Sequence, residues 1–271
     1  MQPDALVQAR PDPAETLAPG ARAPWYLRTW VVTRHTAILL ARDPGIVITY
    51  AVMSAVLLVV LRPVYSRLGA PGTPSILQET PGMAVLFTLL ALDMAGQVML
   101  SERTWHTWDR LRASQAGPLA ILTGKALPLA GVFLIQQAVL FAFSAAVFGL
   151  DLAGGSWRLP VMGLCWAACV TTCGLALGVW VRTQGQLAAI ADIVALVIAC
   201  LSGCLVPLSI LPHWVNTIAP YSPGYWASRG FQASVTGDLR VYGQAIAVVL
   251  GVAVAGLAIA AIRAPRGRRP A

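Results

Sequence analysis

Between Ala126 and Leu150 the chain carries no charged side chain, and the stretches 45–61, 82–100, 159–181, 187–205 and 243–262 hold at most one each. Runs of this kind decide the fold class. About 20 apolar residues in helical form cross the roughly 30 Å hydrocarbon core of a bilayer. Each backbone amide in that core must be satisfied within its own segment, which a helix does. The first run is short, about 26 Å at ~1.5 Å per residue, so flanking residues must complete it. Composition agrees: 57% of residues are hydrophobic and 11% charged, against roughly 25% charged in soluble domains, and the mean hydropathy is +0.70. A soluble fold of this length needs far more polar surface to cover its core. The sequence therefore predicts an all-α integral membrane protein with six transmembrane helices.

The flanks organise these spans. Residues 1–24 are rich in Ala and Pro and lack the apolar core of a signal peptide, which reads as a disordered tail. Residues 25–42 are apolar but charged. Arg28, His35 and Arg42 share one helical face, while Leu27, Trp30, Val31 and Ile38 lie largely opposite. That pattern predicts a helix lying in the membrane interface rather than crossing it. Residues 25–262 form the transmembrane domain, and 263–271 form a basic tail. Arg62 to Pro81, punctuated by Gly and Pro, reads as a loop.

An even number of spans puts both termini on one side, and the basic residues say which. The formal charge of +8 comes from 18 Arg and one Lys. Fourteen of these lie in the terminal regions, in 101–125 and at Arg182, and five lie in the opposite loops. By the positive-inside rule both termini are cytoplasmic. The basic excess orients the chain in the lipid bilayer and implies no nucleic-acid partner.

Two stretches depart from plain spans. In Ser101 to Lys125, SERTWHTWDRLRASQAGPLAILTGK, Trp105, Trp108 and Leu111 recur at three-residue steps on one side of a helix over 101–116. Glu102, His106, Asp109 and Arg110 fall on the other side, with Glu102–His106 and Asp109–Arg112 as local charge pairs. Pro118 ends or kinks this helix. Its pattern alone suits either a helix resting on the membrane face or one docking on a partner. The second stretch, 201–240, carries Pro207, Pro212, Pro220 and Pro223 and cannot be one straight span. Leu205, Val206, Leu208, Ile210, Leu211, Trp214, Val215 and Ile218 make it too apolar for free solvent. A pair of short helices dipping back into the membrane, over 205–230, fits better.

These motifs together resemble the ABC type-2 permease family, the membrane subunits of ATP-binding-cassette exporters, and within it the daunorubicin/doxorubicin-resistance type. The residues that carry the likeness are PGMAVLF at 81–87, SER…TWDRLRAS…GPLAILTGK at 101–125, and the spaced set Gly203, Pro207, Leu211-Pro212, Trp214, Pro223, Tyr225 and Arg229. The likeness runs from Arg42-Asp43-Pro44 to the end of the chain. It implies that 101–116 is a coupling helix seated on a cytosolic ATPase, with Glu102, Arg103, Trp105, Trp108, Asp109, Arg110, Leu111 and Arg112 as its contact residues. It implies an outer gate at Pro207, Pro212, Trp214, Pro223 and Tyr225. Six spans would then be half of a translocation path, with a second permease subunit, identical or not, supplying the other half.

Site chemistry within the chain is sparse. A P-loop needs G-x-x-x-x-G-K-[ST] so that its amides can wrap phosphates. Gly117 to Lys125 has the wrong spacing and Ala126 in place of the hydroxyl. The chain is thus expected to be no enzyme and to hold no cofactor, with ATP and magnesium bound by a separate ABC ATPase subunit. His35, His106 and His213 lie in three separate regions and form no metal triad. Cys165, Cys169 and Cys173 share one helix face, as small residues at a helix–helix contact do.

Asp93, Gln97 and Asp192 remain, placed inside spans. Carboxylates there are costly and mark function by default. They either pair with Lys125, Arg182 or interfacial water, or they line a cavity that prefers cationic or amphiphilic cargo. The sequence thus points to the permease of an ATP-driven exporter in a bacterial plasma membrane, moving an amphipathic drug or secondary metabolite. A lipid or lipid-linked glycan exporter is the nearest alternative. A non-transporting membrane scaffold or regulatory subunit is the alternative of another class.

Overall fold

A computed structural model of the chain describes residues 25–42, 45–68, 75–104, 118–152, 154, 157–206 and 208–263. The N-terminal tail, the helix expected over 101–116 beyond Thr104, Pro207 and the tail after Arg263 lie outside the described residues. Six helical stretches are long and apolar enough to cross a membrane: Ile48–Arg67, Ile76–Ser101, Leu122–Phe148, Arg158–Trp180, Gln184–Leu201 and Leu239–Ile262. The protein is an all-α integral membrane protein.

In chain order the helices are α1 (Trp25–Arg42), α2 (Gly45–Leu68), α3 (Ile76–Leu90), α4 (Leu92–Thr104), α5 (Pro118–Phe148), α6 (Arg158–Trp180) and α7 (Gln184–Leu201). A 3₁₀ turn at Leu208–Ile210, α8 (His213–Ile218), a second 3₁₀ turn at Ala219–Tyr221, α9 (Pro223–Thr236) and α10 (Leu239–Arg263) follow. The near end of the bundle is taken as the one where α2 begins and α10 finishes; the other is the far end.

The expected loop from Arg62 to Pro81 is largely helical. Helix α2 continues to Leu68 with Pro63 inside it, and α3 begins at Ile76 with Pro81 inside it. Proline is tolerated in membrane helices because neighbouring groups satisfy the freed carbonyls, so it is weaker punctuation here than in a soluble chain. Pro118 opens α5, the position where its missing N–H costs nothing. Helix α7 stops at Leu201, short of the expected 205, because Gly203 turns the chain in the left-handed region (φ +72°). Caps set other boundaries. The Thr183 hydroxyl accepts the Gln186 N–H at 3.2 Å to start α7, and Asp238 Oδ1 accepts the Arg240 and Val241 N–H groups at 3.1 Å to start α10. The broken segment consists of short helices as expected, although α9 extends to Thr236.

Two spans form the hub. In the α3–α4 span 78% of the most apolar window is buried and in α6 72%, whereas α2 and α7 reach 17% and 22%. Trp166 and Phe87 of these spans are fully buried, as are Phe133 of α5 and Phe231 of α9. A polar ladder fixes α3 to α5: the Thr80 hydroxyl donates to Ser144 Oγ at 2.9 Å, and Gln137 Nε2 donates to Thr88 Oγ1 at 3.2 Å. Helix α1 lies against the near half of α5, where a Cβ on Gly124 would fall 2.8 Å from Val32. Its Leu27, Trp30, Val31 and Ile38 are left exposed.

Candidate functional site

The polar site is built where the second span breaks. At Ala91 the helix yields to a turn, and α4 restarts at Leu92. The Tyr50 hydroxyl, from α2, donates to the Leu90 carbonyl at 3.3 Å and so satisfies an acceptor at the break. One residue into α4, Asp93 places a carboxylate in the first turn of the new helix. It thereby meets the positive end of the new helix. One turn later Gln97 Nε2 donates to Asp93 Oδ2 at 2.9 Å.

Packing behind α4 aims this group outward. A Cβ on Gly174 of α6 would fall 2.6 Å from the Leu92 carbonyl oxygen, and Gly178 is equally tight against Gly96. The two backbones touch, as small residues allow in membrane helices. Asp93 and Gln97 are left on the side away from α6, half-buried and exposed respectively. Asp192 of α7 is exposed and lies close enough to Asp93 and Tyr50 to act on both electrostatically. It stands eight residues past the start of α7, about 12 Å along the helix. The fold therefore gathers Asp93, Gln97 and Asp192 with Tyr50 on the face shared by α2, α4 and α7, whose outer helices are the least covered. Lys125, one of the partners offered for the carboxylates, is buried and donates to the Val98 carbonyl at 3.3 Å.

A third acid, Glu79, was missed by the sequence reading. Glu79, in the first turn of α3, is 0% exposed, and neither carboxylate oxygen has a hydrogen-bond partner. Arg62 of α2 is near enough to act on it electrostatically. The Arg62 guanidinium lies 4.0 Å over the Phe148 ring, and its Nη1 is buried without a hydrogen bond. Beside them the buried Tyr65 hydroxyl donates to the Cys204 carbonyl at 2.7 Å, tying α2 to the turn after α7. The findable signal was Glu79-Thr80-Pro81-Gly82 running straight into an apolar stretch with no intervening turn residues that a helix cannot hold.

The remaining predicted residues divide by region. Glu102 and Arg103 lie in the last turn of α4, while Trp105, Trp108, Asp109, Arg110, Leu111 and Arg112 lie outside the described residues. Of the gate set, Pro212 precedes α8, Pro223 opens α9 and Trp214 is exposed. Tyr225 accepts a hydrogen bond from Arg229 Nη1 at 2.6 Å. Pro207 lies outside the described residues. Cys169 packs in the core of the α6 face, flanked by the half-buried Cys165 and Cys173.

Comparison with known proteins places this architecture. The linearmycin resistance permease protein LnrN of Bacillus subtilis (strain 168) is 26% identical over 181 residues, 67% of this chain and 46% of that protein. The chain thus aligns with about half the length of that relative. Residues 28–235 match the family described as ABC-2 type transporter, a stretch that includes α2 to α9, the carboxylate face and the broken segment. The chain belongs to the ABC-2 type transporter membrane family.

Proposed function

We propose that this chain is one permease subunit of an ATP-driven exporter whose cargo is an amphipathic, positively charged drug or secondary metabolite. Two permease subunits, identical or different, face each other across the α2–α4–α7 side. Two separate ATPase subunits bind ATP and magnesium and drive the path from inward- to outward-facing. The near end is cytoplasmic in a plasma membrane, in keeping with fourteen basic residues against five.

The observation that carries this reading is the grouping of Asp93, Gln97 and Asp192 on the least-covered face of the bundle. A carboxylate turned to lipid at mid-bilayer costs about 2.5–3.5 kcal/mol on insertion scales. A second permease and a wetted path between the two subunits remove that cost and give the carboxylates a cationic ligand. The relative named for linearmycin resistance supports an antibiotic-like cargo.

Coupling runs through Trp105, Trp108 and Leu111, which enter an apolar groove of the ATPase, with Glu102, Arg103, Asp109, Arg110 and Arg112 at its rim. Truncating such an anchor costs about 2–4 kcal/mol, roughly thirty- to a thousandfold in affinity. Trp108→Ala should leave the permease inserted while its ATPase elutes separately in mild detergent and export is lost. A Trp108→Ala variant that keeps its full complement of ATPase and still transports contradicts the coupling role.

A further inference from the structure

At the far end, a cavity of about 210 Å³ opens between the start of α3, the turn after α7 and one flank of α9. Gln78, Ser202, Tyr225, Ser228, Arg229 and Gln232 line it. Charged side chains are scarce in this part of the chain. From Ile193 to Gly237, Arg229 is the only Asp, Glu, Lys or Arg. Its helix is held rigidly: Ala227, Gly230 and Phe231 are buried on the opposite flank, and the Trp226 indole N–H donates to the Pro220 carbonyl at 2.8 Å. The Arg229 side chain is exposed toward the cavity.

A guanidinium carries five N–H donors in a planar fork. One nitrogen of Arg229 donates to the Tyr225 hydroxyl at 2.6 Å, and the charge lies 5.5 Å from that ring. The Tyr225 contact fixes the fork without neutralising it, and among the described residues no carboxylate pairs with it. Two half-buried amides, Gln78 and Gln232, and the buried Ser228 hydroxyl add neutral donors around the same space. Planar charge plus convergent N–H and O–H donors is the chemistry that binds an oxyanion. The volume accommodates a head group and excludes an apolar body, which has exposed Val206 and Ile210 on the same segment to lie against.

We propose that this cavity is an anion subsite, taking the carboxylate or phosphate of an amphiphile on the Arg229 guanidinium. It deepens the transport reading by adding an anionic handle to cargo already recognised by its cation at Asp93 and Asp192. Its test reads binding to the purified full chain, so failure of the subsite and failure of the transport reading are separate results.

The chain in neutral detergent is titrated with four probes sharing one tail: dodecanoate, dodecyl phosphate, dodecyltrimethylammonium and dodecanol. Both anions should bind at least about tenfold more tightly than the other two, the scale of a charged hydrogen bond. Arg229→Gln should remove that preference while leaving dodecanol binding unchanged. Gln232→Leu should weaken anion binding in the same direction by a smaller factor, and it carries the test if Arg229→Gln does not fold. Repeating the dodecanoate titration in phosphatidylcholine nanodiscs with and without phosphatidylglycerol identifies the source. Full displacement by phosphatidylglycerol assigns the subsite to a lipid phosphate, and retained binding assigns it to a free carboxylate amphiphile. Equal binding of all four probes, or anion binding unchanged in both variants, overturns the proposal.

Discussion

Tyr50 and Tyr65 stand on one helix, fifteen residues and about 22 Å apart, and each marks an acid-bearing region that the fold treats in the opposite way. Around Tyr65 the acid is sealed: Glu79 is fully buried, and the half-buried Arg62 lays its guanidinium over the Phe148 ring. Around Tyr50, Asp93 and Asp192 sit on the face of least-covered helices, with Gln97 exposed beside them. A sealed charge at membrane depth can serve only architecture, because nothing from outside reaches it. An open one must meet either lipid, at a cost, or water and cargo. Position relative to the hub α3–α4 and α6, more than residue type, separates the two roles.

Stability effects should therefore be largest in the sealed region. Arg62→Leu removes the cation that acts on fully buried Glu79, and a buried polar group left without compensation typically costs about 1–3 kcal/mol. It should lower the unfolding midpoint in detergent, and the double variant Arg62→Leu/Glu79→Leu should recover most of the loss, since it also removes the buried carboxylate. Additive losses in that cycle would show that the two groups are not coupled.

Asp93 is intermediate. Asp93→Ala removes the acceptor for Gln97 and the negative charge in the first turn of α4, so it should destabilise by about 1 kcal/mol. Asp93→Asn, which keeps an acceptor, should cost less. Thermal unfolding of the two variants side by side distinguishes loss of the polar contact from mere burial.

At the bottom of the stability scale stands Asp192→Asn. The side chain is exposed, and substitution should move stability by less than about 0.5 kcal/mol. Export of a cationic substrate should nonetheless fall while a neutral analogue is spared. Equal loss for both substrates would place Asp192 in the scaffold with Glu79.

The two regions were not equally legible in the sequence. Asp93, Gln97 and Asp192 stood out because they interrupt apolar runs whose helical character was clear from length alone. Glu79 and Arg62 were hidden by Pro63 and Pro81, which read as loop punctuation although a membrane helix accommodates them. Tyr50 looked like any aromatic in an apolar span. Its role depends on the break at Ala91, which lies beside the backbone contact of α4 with α6 at Gly96, Gly174 and Gly178, and no local pattern encodes that. The broken segment after α7 was foreseeable from its prolines, but its register was not. The stop at Leu201 depends on which of several glycines in that stretch turns left-handed just after it, and that is Gly203.

The most direct test of the central claim, that the α2–α4–α7 face lines a wetted path, is spin-label accessibility in the assembled transporter. Labels would be placed by Asp192→Cys and, at matched depth on α10, by Val254→Cys, after replacing the five native cysteines. Val254 is 66% exposed and nine residues from the near end of its helix, against eight for Asp192. The account predicts that a water-soluble nickel complex relaxes the label at 192 and that dissolved oxygen relaxes the label at 254. Oxygen-dominated relaxation at both positions would mean that Asp192 faces lipid, and it would contradict the account.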